Sequence, residues 1–356
     1  MRLTLLLAFI LITVIGIAQV DSAKSLNLNG YVEMYYSYDF SMPKNFEKPD
    51  FNYNYKKHNQ INLNLAFIKA SYQTKRTRSN LALMTGNYVK YNLSAEPNWA
   101  KLLLEANAGF KPFKQHNFWI DAGVMPSHIG FESAVGSDCW NLTRSLLAEN
   151  SPYFESGIKL NYNNKKENLF LAFLVLNGWQ KIEVTDWGQI PSFGIQVNYK
   201  PSNSLTLNYS NFIGRIKLES INALRVFHNL FAIYEASPKI SFIFGFDFGT
   251  QQDNDKKLNV WYTPVLISKV NLTQKSKIAG RLEYYKDKKQ VLIQTGTLNG
   301  YQTFGASVNY DYQITPKLLC RAELKKYASK DPIFKSQSSS NKHTSATISL
   351  VVKFEN

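Results

Sequence analysis

Over residues 26–40 apolar and polar side chains alternate almost without a break. Leu26, Leu28, Gly30, Val32, Met34, Tyr36, Tyr38 and Phe40 fall on one side, and Asn27, Asn29, Tyr31, Glu33, Tyr35, Ser37 and Asp39 on the other. A period of two marks a strand with one apolar and one polar face. Fifteen residues is long for a strand in water and suits one that tilts across a bilayer and projects beyond it. The pattern returns over 61–72, 79–91, 99–110, 117–125, 153–162, 168–177, 190–200 and 203–213. It continues over 223–234, 239–250, 258–270, 275–286, 301–312, 316–327 and 343–354, which makes sixteen runs. After Phe67 the phase slips, with Ile68, Ala70 and Tyr72 taking over the apolar side, and a bulge is predicted there.

The connections have a rhythm of their own. Those after even-numbered runs are tight, as in Lys111-Pro112-Phe113-Lys114, Asn163-Asn164-Lys165-Lys166 and Thr315-Pro316-Lys317. Those after odd-numbered runs are mostly longer: 41–57, 126–152, 178–189, 251–257, 287–300 and 328–342. An even strand count with short turns on one side and long loops on the other predicts an all-β fold. The expected architecture is a transmembrane antiparallel β-barrel of about 16 strands, its short turns periplasmic and its long loops exterior. No run of about 18 apolar residues follows Ile17, so no membrane-crossing helix is expected. A closed barrel is the other way to satisfy every backbone polar group in lipid.

About sixteen strands enclose an aqueous channel rather than a packed core. The polar phase of the runs turns Glu33, Asp39, Glu105, Asp121, Glu155, Lys159, Arg281, Glu283, Arg321, Glu323, Lys325 and Lys353 inward. Of these, Glu33, Asp121, Glu155, Lys159, Arg281, Glu283, Arg321, Glu323 and Lys325 are the candidate lumen wall. Taken singly, such side chains are ordinary solvated groups that pair across strands. Taken together, they make a charged lumen that orders water and steers ions.

The longest break in alternation, 126–152, separates two well-patterned runs and holds Glu132, Asp138, Cys139, Arg144 and Glu149. In the strand count it is the third exterior loop. Leu142, Leu146 and Leu147 stand at helical spacing, which predicts a short helix within 142–149. The loop is expected to fold into the lumen and to set Glu132, Asp138, Arg144 and Glu149 across from the charged wall at a constriction. Cys139 beside them offers a thiol handle.

Composition narrows the rest. Arg2, an apolar stretch to Ile17 and small residues up to Ala18 read as a secretory signal peptide, leaving 19–356 as one barrel domain. Two cysteines, Cys139 and Cys320, far apart, make no disulfide framework. The net charge of +15 is scattered through turns and loops, which argues against nucleic acid and for anionic headgroups and solutes. Basic clusters at Lys56-Lys57, Lys256-Lys257 and 286–289 could meet lipopolysaccharide phosphates or be solvated loop charge. Asp253-Asn254-Asp255 lacks the twelve-residue pattern of a calcium loop, and no metal or cofactor is expected. Five histidines are present, with no G-x-S-x-G and no H-E-x-x-H, so no enzyme is expected.

Several stretches together resemble a known family. These are Leu28-Asn29-Gly30-Tyr31-Val32-Glu33, Leu104-Glu105-Ala106-Asn107-Ala108-Gly109 and Trp119-Ile120-Asp121-Ala122-Gly123-Val124, followed by Pro126-Ser127-His128-Ile129-Gly130-Phe131-Glu132-Ser133. Leu142-Thr143-Arg144-Ser145 and Ala148-Glu149-Asn150-Ser151-Pro152-Tyr153-Phe154-Glu155-Ser156-Gly157 extend the match. The stretches look like the OmpL-like β-barrel porins of Bacteroidota, over roughly the first half of the mature chain. The resemblance implies a channel in the outer membrane of a Gram-negative bacterium and carries no catalytic residues. The leading expectation is a passive, water-filled porin for small hydrophilic solutes or ions, in contact with outer-membrane lipid and lipopolysaccharide and compatible with a homotrimer. A substrate-specific channel with a site at the constriction, a surface adhesin or structural barrel, and a barrel hydrolase are the alternatives.

Overall fold

The computed structural model describes residues 25–184, 190–218, 221–335 and 339–355. The expected signal peptide, 1–18, lies outside them. The first strands are β1 (Ser25–Asp39), β2 (Ile61–Gln73), β3 (Thr77–Thr85), β4 (Leu103–Phe110), β5 (Asn117–Pro126) and β6 (Phe154–Asn163). Then come β7 (Leu169–Leu176), β8 (Ser192–Ser202), β9 (Leu205–Lys217), β10 (Asn222–Glu235), β11 (Ile240–Gln252) and β12 (Leu258–Asn271). The chain ends with β13 (Ser276–Asp287), β14 (Tyr301–Thr315), β15 (Leu318–Ser329), a two-residue ladder of β16 (Phe334–Lys335) with β17 (Ser339–Ser340), and β18 (Lys342–Glu355). The sixteen strands β1–β15 and β18 close into one antiparallel barrel. Closure is made by β1 against β18, in register from Asn29↔Glu355 to Asp39↔Ser345. No sheet edge is left to present unpaired N–H and C=O groups to lipid.

Alternation in sequence becomes inside and outside. On β14, Tyr301, Thr303, Ser307, Asn309 and Asp311 are buried within the barrel, whereas Phe304, Val308, Tyr310 and Tyr312 are exposed on its outer surface. Leu26, Ile68, Phe173, Phe246 and Leu350 continue that exposed apolar belt around the wall. Such a belt would be costly in water and matches a hydrocarbon surround.

The structure departs from the expected runs in three places. The run 79–91 stops as strand at Thr85, and Asn87–Asn92 forms a short helix that buries Tyr88 against Tyr153 at 5.8 Å. Gly86 makes the bend at φ +123°, where an added Cβ would sit 2.5 Å from the Asn64 carbonyl oxygen. The run 99–110 begins as strand only at Leu103, after the single 3-10 turn Ala100–Leu102. The bulge lies earlier than Phe67, because Glu33 pairs with Leu65 and Met34 with Leu63. Asn64 is the extra residue, and both it and Leu65 point inward and are fully buried. Leu65 and Phe67 therefore belong to the interior, where Phe67 stacks on Tyr31 at 5.3 Å, and only Ile68 returns to the outer face.

The interior holds more than wall residues. Two exterior connections, 40–60 and 127–153, fold into the barrel and supply Phe51, Tyr55, Ile129, Leu142, Leu146 and Leu147 as buried apolar groups. Phe51, Ile129 and Leu146 pack in one cluster with the wall residues Trp261, Tyr285, Tyr301 and Tyr327. The lumen is thus partly a hydrophobic core built from loops.

Candidate channel constriction

The third exterior loop enters the barrel just after β5. Its first anchor is His128, whose Nδ1 lies 2.7 Å from Glu155 and whose Nε2 lies 2.7 Å from the Asn211 carbonyl oxygen. The Gly130 N–H donates to Asn229 at 3.1 Å, and the Phe131 ring meets Phe231 with centroids 5.7 Å apart. This end of the loop rests on β9 and β10.

Its far side lies against β13, β14, β15 and β1. Arg321 donates to the carbonyl oxygens of Gly136 at 2.6 Å, Cys139 at 2.9 Å and Trp140 at 3.2 Å, and is itself held by Asp311 at 2.7 Å. Arg281 donates to the Thr143 carbonyl at 2.6 Å, and the Lys325 amine to the Arg144 carbonyl at 2.8 Å. In return Glu323 accepts from the Thr143 N–H, Glu283 from the Leu146 N–H, and Asn309 from the Leu142 N–H. Wall cations take loop carbonyls and wall carboxylates take loop amides. The irregular backbone, which lacks a ladder partner, thereby has its polar groups satisfied inside the barrel. Gly136 comes so close to β1 that an added Cβ would lie 2.5 Å from a Glu33 carboxylate oxygen and 2.6 Å from the Tyr55 hydroxyl.

The four loop residues expected at the constriction occupy different surroundings. Glu132 accepts from the Ser145 N–H at 3.0 Å and from its hydroxyl, and lies 3.7 Å from Arg281. Ser145 in turn caps the helix Leu146–Glu149 by accepting from the Ala148 N–H at 3.1 Å. Arg144 turns back onto its own loop, donating to the carbonyls of Ser133 at 2.7 Å, Leu142 at 2.8 Å and Ala134 at 3.2 Å. Glu149 accepts from the backbone of Tyr53 at 2.7 Å and from Asn54, fastening the third loop to the first, and burial raises its carboxyl above the ordinary range. Asp138 alone is half-exposed, paired with Lys353 at 3.2 Å. Thus Glu132, Arg144 and Glu149 are buried struts of the loop, and Asp138 faces solvent.

The wall residues also divide. Arg281, Glu283, Arg321, Glu323 and Lys325 form the face that receives the loop, with Arg281 3.0 Å from Glu323 and 3.5 Å from Glu283, and Lys325 3.4 Å from Glu283. Glu33 accepts from the Tyr55 hydroxyl at 2.9 Å and from Asn64 at 3.0 Å, so the β2 bulge serves to aim Asn64 at it. Glu155 holds His128. Asp121 is gripped by Arg78 at 2.5 Å, whose guanidinium lies 4.3 Å from the Trp119 ring centre, and half-buried Lys159 sits opposite Asp121 in register. Sequence patterning missed Asn64, the first loop's Tyr55 and Asn54, and Ser145. The aromatic content of 46–55 was the available signal, since Phe46, Phe51, Tyr53 and Tyr55 are unusual in a loop left to water.

Cys139 is a poor handle in the closed loop. Its side chain is buried, its sulfur accepts from the Ser133 N–H at 3.3 Å, and burial pushes its thiol up to about 11. The thiolate is the reactive form. In a Cys320→Ser background, a charged methanethiosulfonate at pH 8 should label unfolded chain rapidly and folded protein slowly. Equal rates would show that the loop does not stay packed.

The sequence pattern of the family described as "Putative beta-barrel porin-2, OmpL-like" matches residues 25–354. The anion-selective porin from Comamonas acidovorans superposes with a TM-score of 0.66 at 8% identity, covering 93% of this chain and 100% of that one. The outer membrane channel DcaP of Acinetobacter baumannii gives 0.61 at 10% identity, covering 94% and 98%. OmpT of Vibrio cholerae, in a structure described as its trimer form, gives 0.59 at 8% identity, covering 93% and 100%. At these identities the likeness is one of fold. No protein of curated function matches the sequence.

Proposed function

The chain belongs to the OmpL-like β-barrel porin family of outer-membrane channels, and from this membership and the loop strapped across its lumen we propose how it works. It is a passive channel for small hydrophilic solutes and ions, without enzymatic activity. Its third loop narrows the lumen, and Glu132, Arg144 and Glu149 act by holding that loop in place, whereas Asp138 meets the passing solute. The observation that carries this reading is the seating of the loop backbone on Arg281, Arg321 and Lys325. A loop held by several charge-assisted bonds keeps a fixed cross-section, as a sieve requires.

The same reading includes export by a signal peptide cleaved after Ala18, assembly as a homotrimer, and contact of the exterior Lys256-Lys257 pair and the 286–289 basic cluster with lipopolysaccharide phosphates. Purified, heat-modifiable protein in a planar bilayer is expected to give discrete, ohmic conductance steps. Folded protein that inserts and gives no steps would overturn the channel.

A further inference from the structure

Between the first, seventh and eighth exterior loops lies a cavity of about 390 Å³ lined in part by Asp39, Lys48, Phe51, Tyr53, Phe334 and His343. Its carboxylates are already matched. Asp39 lies 2.8 Å from His343 Nε2 and accepts from Ser41, Glu47 lies 2.7 Å from the Lys57 amine, and Asp50 lies 3.2 Å from that of Lys56. Lys48 differs. It is 4% exposed, and among the described residues its amine has no hydrogen bond and no ion pair within 4 Å. Its place is fixed by the backbone, where its N–H donates to the Lys56 carbonyl at 2.8 Å beside the Glu47↔Lys57 bridge.

A buried ammonium without a counter-charge is costly. Burial, with Lys325 next, pulls this amine down to about 8, against the raising influence of Glu149, Asp39 and Glu323. His343 Nδ1 is also buried without a partner among the described residues, but with Nε2–H given to Asp39 it is the acceptor nitrogen of the neutral ring and takes no part in holding an anion. Beside them Phe51 packs on Phe334 with centroids 6.1 Å apart, giving the cavity an apolar wall. One ammonium and an aromatic wall suit a single carboxylate on an apolar body. A phosphate would call for several cations or an arginine fork.

We propose that this cavity is a binding site for a small monocarboxylate with an apolar body, whose carboxylate is taken by Lys48 and whose body lies along Phe51 and Phe334. The proposal rests on the channel reading and deepens it by naming a solute class that the exterior mouth would concentrate.

The test is calorimetric titration of phenylacetate into the detergent-folded full chain. Saturable binding is expected for the native protein, a loss of tenfold or more for Lys48→Gln, and native affinity for Lys166→Gln in the exposed turn between β6 and β7. Benzylammonium and inorganic phosphate should not bind. A second measurement needs no variant: binding should be strongest below pH 8 and weaken above it as the Lys48 amine loses its proton. Lys325, Glu323, Asp39 and Glu149 are the charged groups whose fields act on that amine. Native affinity in Lys48→Gln, equal binding of benzylammonium or phosphate, or binding unchanged to pH 9.5 would overturn the site. Because binding is read without a bilayer, conductance steps with no phenylacetate binding sink the site and spare the channel, and the converse result does the reverse.

Discussion

Excision of residues 132–150 is expected to raise single-channel conductance several-fold while leaving a folded, heat-modifiable barrel. The junction is short, because Pro126 and Phe154 are already paired in register and the Ser127 N–H donates to the Tyr153 carbonyl at 3.0 Å. The stretches 127–131 and 151–153 then suffice to bridge two neighbouring strands. The wall left behind is not a set of orphaned charges. Arg281 keeps Glu323 at 3.0 Å, Lys325 keeps Glu283 at 3.4 Å, and Arg321 keeps Asp311 at 2.7 Å. Once the loop is gone these pairs face water, where solvation covers what they lose. The apolar cost is the loss of Leu142, Leu146 and Leu147 from the interior clusters, while Phe51, Trp261, Tyr301 and Tyr327 still pack together. With ladder hydrogen bonding intact around the closed sheet, the barrel should survive, and a sixteen-strand barrel with only its first loop still inside is a wider pore. Conductance equal to the native value in a variant shown to be folded would mean that the loop does not narrow the path.

The sequence carried the wall far better than its contents, for a physical reason. A strand facing lipid on one side and polar groups on the other must alternate, so each of the sixteen strands left a local trace. Where the interior became apolar the trace misled. Leu65 and Phe67 looked outward-facing because they are hydrophobic, yet they pack inward around Tyr31 and Tyr88. Asn64, the residue that causes the switch, is polar and adjacent to them, so a phase count had no means of marking it as the bulge. The helix Asn87–Asn92 was hidden in the same way, since Tyr88 and Val89 continue an apolar run whether or not the chain turns at Gly86. The length of the third loop and its break in alternation were legible. The use of its charges was not. Arg144 satisfies carbonyls two to eleven residues away on its own loop, and Glu149 takes amides from the first loop. Neither partnership leaves a pattern in a linear sequence.

A single substitution on the wall should do what excision does not, because it leaves the loop in place with its charges unbalanced. In the native protein Arg281 lies within 4 Å of three carboxylates: Glu132 at 3.7 Å, Glu283 at 3.5 Å and Glu323 at 3.0 Å. It also donates to the Thr143 carbonyl at 2.6 Å. Arg281→Met keeps the bulk and removes the charge, so Lys325 becomes the remaining cation of that cluster. Breaking a buried ionic group by removing one partner costs about 3–5 kcal/mol, because the charges left behind are desolvated and unpaired. The barrel cannot relieve this by unfolding cheaply, but the loop can lift away and admit water. The expected result is a channel with larger mean conductance and frequent closures. A bias of about 3 kcal/mol toward the lifted loop would also speed labelling of Cys139 on the order of a hundredfold in the Cys320→Ser background. Adding Glu323→Gln should partly reverse both effects. It removes one of the stranded carboxylates while its amide oxygen can still accept from the Thr143 N–H, the bond that Glu323 makes in the native protein. The pair should therefore be strongly non-additive. Independent, additive effects of the two substitutions, or labelling of Cys139 unchanged by Arg281→Met, would show that this charged cluster does not hold the loop.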